Sequence, residues 1–143
     1  MISSSLIESL KHHEGLRLQS YKDSEGIWTI GYGRNLQAMQ ITQELAVTWL
    51  YEDAETAEEG ARTISEYHGL NYARQNVIIE MTYNLGLAGV KKFKKMLAAI
   101  QSKDYDRAAD EMLDSTWRRQ VGVRADRLAD IMRRGEYQHT HVL

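Results

Sequence analysis

The pattern of apolar and polar positions predicts a short helix at the start of the chain and then a β-hairpin. Ser5-Leu6-Ile7-Glu8 predicts a capping box at the start of the helix, and Gly15 predicts its end. Residues 16–21 alternate imperfectly, residues 23–26 have turn composition, and residues 27–30 are β-branched and aromatic. The first third of the chain therefore combines a helix with a small antiparallel hairpin.

From residue 42 onward the pattern becomes helical. Thr42 is typical of an N-cap, and the acidic segment that it opens predicts a long helix to about residue 67. Asn71 caps a second helix with a wide apolar face, and Gly86 predicts its end. Shorter helices are predicted over residues 90–101, 105–113, 115–120 and 124–134. The pattern therefore predicts a mostly helical α+β fold.

Composition narrows the function classes. The chain has 143 residues, the size of a single domain, and lacks the roughly 20 consecutive apolar residues that a membrane-spanning helix needs, so no membrane insertion is expected. Its first residues are not typical of a signal peptide. The absence of cysteine excludes disulfides and thiol catalysis. No histidines are spaced as a helical zinc pair, and His139 and His141 in the tail are expected to be solvated.

Charge is distributed unevenly along the chain. Residues 1–70 carry 5 basic and 11 acidic side chains, which gives −6, whereas residues 71–143 carry 13 basic and 9 acidic ones, which gives +4. A basic half can face an anionic polymer such as the bacterial wall or a nucleic acid, although a solvated surface has the same composition. The lysines around Phe93 match no recognised nucleic-acid motif, so no nucleic-acid partner is expected.

Three side chains in residues 14–33 have types suited to breaking a glycosidic bond. Glu14 lies at a helix end, Asp23 in the hairpin turn, and Thr29 on the returning strand. The reaction needs a proton for the leaving oxygen and a group that handles the incoming water or the cationic centre. Two carboxyl groups in different surroundings can divide these roles. Spacing alone leaves purely structural roles open for both.

These residues lie within E-G-L-R-L-x-x-Y-x-D-x-x-G-x-x-T-I-G-Y-G, which resembles the catalytic signature of T-even-type phage lysozymes, glycoside hydrolase family 24. A weaker resemblance extends through residues 41–46, 74–86 and 115–127. It implies a single lysozyme domain, residues 1–143, with a two-lobed fold and a saccharide cleft between the lobes. The implied parts are a β-containing lobe over 14–41, a connecting helix over 42–68, and a helical lobe of 69–143 with 1–13.

The resemblance also implies roles for named residues. Glu14 is expected to protonate the bond between N-acetylmuramic acid and N-acetylglucosamine in peptidoglycan. Asp23 and Thr29 are expected to hold the attacking water on the opposite face, which gives inversion. Inversion predicts that the two carboxyl groups lie roughly 6.5–9.5 Å apart. No metal or cofactor is implied.

Other positions match residues that line the cleft in this family. Arg124 matches an arginine near the acid and is expected to tune its protonation, although a helix-end cation beside Asp126 is an equal alternative. The expected substrate-binding residues, from the end of the second strand and from the larger lobe, are Gly33, Arg34, Asn35, Tyr83 and Asn84. The three tryptophans lie on patterned segments and are expected in the core: Trp28, Trp49 and Trp117.

Two departures from the family pattern stand out. Arg34 occupies the place of a common histidine, which puts the pairing of that histidine in doubt but not the chemistry. The stretch from residue 35 to residue 41 is much shorter than in the T-even enzyme, which predicts a reduced third strand and a more open cleft wall.

The leading hypothesis is a monomeric endolysin that acts on peptidoglycan glycan strands for host-cell lysis. Such a protein would stay in the bacterial cytoplasm until a holin-like pore protein releases it to the wall. Two alternatives keep the same substrate. A lytic transglycosylase can work with a lone acid and needs no water-holding Asp23, and a non-catalytic homologue would bind peptidoglycan without cleaving it.

Overall fold

The structure, a computed structural model, describes residues 1–138, so His139 and His141 lie outside it. Within this range it contains seven α-helices and one three-stranded sheet, which confirms the mostly helical α+β class. Contacts between residues divide the chain into two compact units, Met1–Ala46 and Val47–Leu143. The predicted lobe boundaries, 14–41, 42–68, and 69–143 with 1–13, stay predictions. None of the described helices is both long and apolar enough to span a membrane.

The first unit begins with helix α1, Ser4–Glu14. Its N-cap is Ser3, whose Oγ accepts a hydrogen bond from the Leu6 N–H at 3.2 Å. The predicted capping box at Ser5 is therefore wrong, because the earliest of three consecutive serines takes the cap. Gly15 ends the helix with a φ of +71°, as predicted, a conformation that costs glycine little.

An antiparallel sheet follows in the order β1 (Arg17–Lys22), β2 (Trp28–Gly31) and β3 (Arg34–Asn35). β3 has two residues, so the predicted reduction of the third strand is confirmed. Within residues 1–46 the one buried side chain is that of Thr29, at the centre of the sheet. The sheet therefore holds one polar candidate residue in a fixed place.

Helix α2, Gln43–Arg62, begins in the first unit and continues into the second. Thr42 caps it as predicted, since its Oγ1 accepts from the Leu45 N–H at 3.1 Å. The helix ends five residues before the predicted limit. Thr63 donates its hydroxyl to the Gly60 carbonyl at 2.7 Å, and Ile64 is extended. A 3₁₀ helix, Ser65–Gly69, then occupies the remainder of the predicted segment.

The second unit is built from five further helices: α3 (Tyr72–Lys91), α4 (Lys94–Gln101), α5 (Tyr105–Leu113), α6 (Thr116–Val121) and α7 (Val123–Arg134). Gly86 has a φ of +77° and interrupts α3, so the predicted end there is a kink after which the helix resumes. Consequently α4 starts four residues later than predicted. The side chains of Asn71, Asp104 and Ser115 cap α3, α5 and α6.

The hydrophobic core lies in the second unit, where α7 packs against α3, α5 and α6 and α4 packs against α5. Met81, Met112 and Met132 are fully buried at its centre. Trp117 is buried as predicted, but Trp28 and Trp49 are 44% and 41% exposed, so their placement in the core is wrong. Tryptophan is amphipathic, and the hydrophobic patterns of these two segments do not distinguish a half-exposed position from a core position.

Candidate functional site

The carboxyl group of Glu14 lies against the backbone of Gly33. A Cβ atom on residue 33 would stand 2.7 Å from Glu14 Oε2 and 3.3 Å from its Cδ. Gly33 also has a φ of +81°, which other L residues rarely adopt. A side chain on residue 33 would therefore displace the Glu14 carboxyl from this position. A cavity of about 280 Å³ at this place is lined by Ile7, Leu10, Lys11, Glu14, Tyr32 and Gly33.

Asp23 is fixed by the turn between β1 and β2. Its Oδ1 accepts hydrogen bonds from the backbone N–H groups of Glu25 and Ile27, both at 2.9 Å. Its own N–H donates to the Ile27 carbonyl at 2.9 Å. Gly26 completes the turn with a φ of +79°. One carboxylate oxygen of Asp23 thus holds the turn, and Oδ2 takes part in none of the hydrogen bonds described for residues 1–138.

Thr29 lies on β2 and is 4% exposed. Its neighbours across the sheet are Tyr21 on β1 and Asn35 on β3. The Thr29 hydroxyl donates to the Ile27 carbonyl at 2.9 Å, so its lone pairs can accept from a further donor. Because Asp23 pairs with Ile27 and strand residues alternate between faces, Asp23 and Thr29 lie on the same face of the hairpin.

These groups can divide the work of a hydrolysis. A protonated Glu14 carboxyl can donate a proton, while Asp23 Oδ2 and the Thr29 hydroxyl can each accept one hydrogen of a water molecule. Such a water would keep a lone pair free for attack. The catalytic roles of these three residues stay predictions, as does the expected carboxyl separation of roughly 6.5–9.5 Å.

The predicted binding residues of the first unit differ in what their side chains do. Gly33 makes room for Glu14, as described above. Arg34 is exposed and lies opposite Ile30 in the sheet. Asn35 Oδ1 accepts from the N–H of Gln37 at 2.8 Å and so anchors the loop after β3. That structural role was not anticipated from the sequence, although asparagine before a loop is a known signal for such a turn.

In the second unit, Tyr83 and Asn84 are neighbours on α3 with separate surroundings. Tyr83 is 43% exposed and lines a cavity of about 320 Å³ together with Glu80 and Arg124. Asn84 Oδ1 accepts a hydrogen bond from the indole Nε1 of the buried Trp117 at 2.7 Å. Asn84 therefore satisfies a core tryptophan, a contact 33 positions apart that local sequence patterns do not indicate.

Arg124 forms an ion pair with Glu80, a residue for which the sequence predicted no role. Its Nε donates to Glu80 Oε2 at 2.9 Å. The structural alternative is confirmed in part: Arg124 lies at the start of α7, but Asp126 is not its partner, because Asp126 binds Arg118 through both carboxylate oxygens at 3.1 and 3.3 Å. The expected tuning of the acid by Arg124 stays a prediction. Among residues 1–138, no three His, Asp or Glu side chains are grouped so that they could hold a metal ion.

The sequence of this chain is similar to those of several known proteins. A family model described as phage lysozyme matches residues 11–136. Probable T4-type lysozyme 2 of Dictyostelium discoideum is 30% identical over 92% of this chain and 95% of its own length. An endolysin of Salmonella phage P22 is 32% identical over 78% of this chain and 81% of its own. The pre-baseplate central spike protein of Enterobacteria phage T4 is 28% identical over 94% of this chain, which spans 28% of the spike protein.

Proposed function

Since the chain belongs to the phage lysozyme family, we propose that it hydrolyses the β-1,4 bond between N-acetylmuramic acid and N-acetylglucosamine in bacterial peptidoglycan. The chain is a glycoside hydrolase. The observation that carries the proposal is the hairpin geometry of Asp23 and Thr29. One oxygen of Asp23 is held by backbone N–H groups, and the other makes none of the hydrogen bonds described for residues 1–138, on the face of the hairpin that also carries Thr29.

The reaction starts with a proton transfer from the Glu14 carboxyl to the glycosidic oxygen. As the bond between the anomeric carbon and that oxygen breaks, the water held by Asp23 and Thr29 attacks the carbon from the opposite face. Asp23 takes the proton that the water releases, so Glu14 ends as a carboxylate and Asp23 as an acid. Exchange with solvent restores both, and the product has the inverted configuration at the new reducing end.

Gly33 supports this assignment because it leaves the Glu14 carboxyl in contact with a backbone instead of a side chain. We assign substrate contacts to the backbone of Gly33, to Arg34 and Asn35, and to Tyr83 and Asn84 of the second unit. Arg124 is assigned to the tuning of the acid. No metal ion or cofactor enters the proposed reaction.

The proposed biological role is that of a phage endolysin. It draws support from similarity to a protein named endolysin in Salmonella phage P22. In this role the monomeric protein accumulates in the cytoplasm of the infected bacterium, and a holin-like pore protein gives it access to the wall. It inserts in no membrane and binds no nucleic acid as part of this role.

The test uses outer-membrane-permeabilised Gram-negative cells and purified peptidoglycan. Loss of turbidity by the wild type, together with products that end in a reducing muramic acid, supports the hydrolase. A 1,6-anhydro product, with full activity of Asp23→Ala, would favour the lytic transglycosylase. Binding without cleavage on several walls would favour the non-catalytic homologue.

A further inference from the structure

The second unit contains a concave site that the proposed reaction leaves unused. A cavity of about 670 Å³ lies among α3, α4 and α6, a size typical of small-ligand sites. Its apolar wall includes Phe93 and Trp117, whose rings meet edge to face with centroids 5.9 Å apart. Lys92, Lys94 and Lys95 line the same cavity. The site thus combines an apolar wall with clustered cations.

The lysines at this cavity form no ion pair among residues 1–138, although Glu111 and Asp114 line the same cavity. Together with Lys91, they place four exposed lysines within five positions. Five arginines of the same unit, in contrast, form ion pairs with carboxylates of the described part of the chain. Those that form ion pairs of 2.7–3.3 Å with aspartate or glutamate are Arg62, Arg118, Arg124, Arg133 and Arg134.

The cavity lies at the densest run of cations in the C-terminal half, with four lysines between residues 91 and 95. Arg133 and Arg134 donate hydrogen bonds to Asp110 and Asp130, and these carboxylates raise the pKa values of the two arginines. Lys94 and Lys95 lie in the first turn of α4, where cations are unfavourable because they oppose the helix dipole. These two lysines at the cavity are therefore electrostatically unfavourable for helix α4.

We propose that this lysine-lined cavity binds a linear phosphodiester polymer of the bacterial envelope and so holds the enzyme at its substrate. The inference rests on the proposed action on the wall. Lysine binds phosphate as a point charge, whereas planar bidentate recognition of carboxylates favours arginine. The cations that line the cavity are all lysines, which is the type that suits phosphate.

The shape of the site favours a polymer chain over a bilayer or a nucleic acid. Trp117 is 3% exposed and Phe93 is half-buried against it, so the cavity offers no fully exposed aromatic ring for stacking a base or for insertion among lipids. Glu111 and Asp114 also line the cavity. These carboxylates repel an anion, so the phosphates are confined to the lysine side.

The test measures binding of a fluorescent glycerol-phosphate oligomer at low ionic strength. Lys94→Gln/Lys95→Gln is expected to weaken binding by about tenfold and to flatten its dependence on salt. The matched control, Lys103→Gln/Arg107→Gln, removes the same charge from exposed positions outside the cavity and is expected to bind within about twofold of the wild type. Glu111→Gln is expected to bind more tightly, because it removes a repulsive charge.

Several results would overturn the inference. Equal weakening by both double variants would point to the overall charge of the unit. Weaker binding by Glu111→Gln would indicate a zwitterionic ligand that uses both signs of charge. Tighter binding to phosphatidylglycerol vesicles or to single-stranded DNA than to the oligomer would assign the lysines to a membrane or a nucleic acid.

A second readout separates this inference from the proposed function. Hydrolysis of peptidoglycan freed of phosphate polymers is expected to be the same for the wild type and both double variants. A wild type that binds the oligomer but cleaves no peptidoglycan would refute the hydrolase. A wild type that cleaves peptidoglycan but does not bind the oligomer would refute the polymer site.

Discussion

Glu14 and Gly33 are in contact across the junction of helix α1 and the β-sheet: Oε2 of the acid lies 2.7 Å from the place where a side chain on residue 33 would begin. The last residue of helix α1 therefore packs against a turn glycine 19 positions later in the chain. This contact links the backbone conformation of the β2–β3 turn to the position of the proposed proton donor, and it makes the turn part of the site.

Gly33→Ala is therefore expected to displace the acid. We predict a loss of activity of about 100-fold, because small misplacements of catalytic groups have effects of that size. The matched control is Gly26→Ala, which has nearly the same φ, +79° against +81°, but no atom within 4 Å of the new Cβ. Both variants should lose about 1–2 kcal/mol of unfolding free energy to backbone strain. Equal activity of the two variants would show that the contact with Glu14 has no effect on catalysis.

Asp23→Asn and Asp23→Ala separate the two roles of this carboxylate. Asparagine keeps an oxygen that can accept from the N–H groups of Glu25 and Ile27, so unfolding free energy should change by less than about 0.5 kcal/mol. Alanine removes both hydrogen bonds and should cost about 1–2 kcal/mol. Both variants should lose about 10²–10⁴-fold in hydrolysis rate, since neither has the base. Asparagine at wild-type activity would leave Asp23 with a structural role only.

Asn84 is predicted to act on stability through Trp117. Asn84→Ala leaves the buried indole N–H without its acceptor and should lower the unfolding free energy by about 1–3 kcal/mol. Asn84→Asp keeps an acceptor oxygen and should cost less. Thermal unfolding followed by tryptophan fluorescence measures both. If alanine left stability unchanged while weakening glycan binding, Asn84 would be a substrate contact alone.

The pair of Arg124 and Glu80 gives a further test. The two side chains are 36% and 43% exposed, so a double-mutant cycle with glutamine at each position should give a coupling below about 1 kcal/mol. Arg124→Gln is expected to reduce hydrolysis by more than its change in stability explains, whereas Glu80→Gln should stay near wild type. If both variants kept full activity, Arg124 would serve only as the partner of Glu80.

The local parts of the fold could be predicted because each depends on a few neighbouring residues. Gly15, the turn of residues 23–26 and the caps at Thr42 and Asn71 follow from backbone conformation and short-range hydrogen bonds. Three adjacent serines offered three caps, and sequence alone did not select Ser3. The end of α2 was also missed, because a threonine hydroxyl bonding back to Gly60 competes with helix continuation.

The catalytic candidates were found because their motif is dense and short. Other contacts of the predicted site residues depend on tertiary packing between segments that are distant in sequence. Examples are the Glu14–Gly33 contact, the hydrogen bond from Trp117 to Asn84, and the pairing of Arg124 with Glu80. Each contact joins residues 19 to 44 positions apart, a separation at which the periodicity of the sequence does not predict contacts.

The most direct test of the central claim compares the wild type with Glu14→Gln in the rate of glycan cleavage on purified peptidoglycan. Glutamine nearly preserves the shape of the side chain but has no proton to donate at neutral pH. We expect cleavage to fall by at least about 10²–10⁴-fold, while thermal unfolding and binding to the glycan are unchanged. A Glu14→Gln variant that cleaves within tenfold of the wild-type rate would show that Glu14 is not the proton donor and that another residue is.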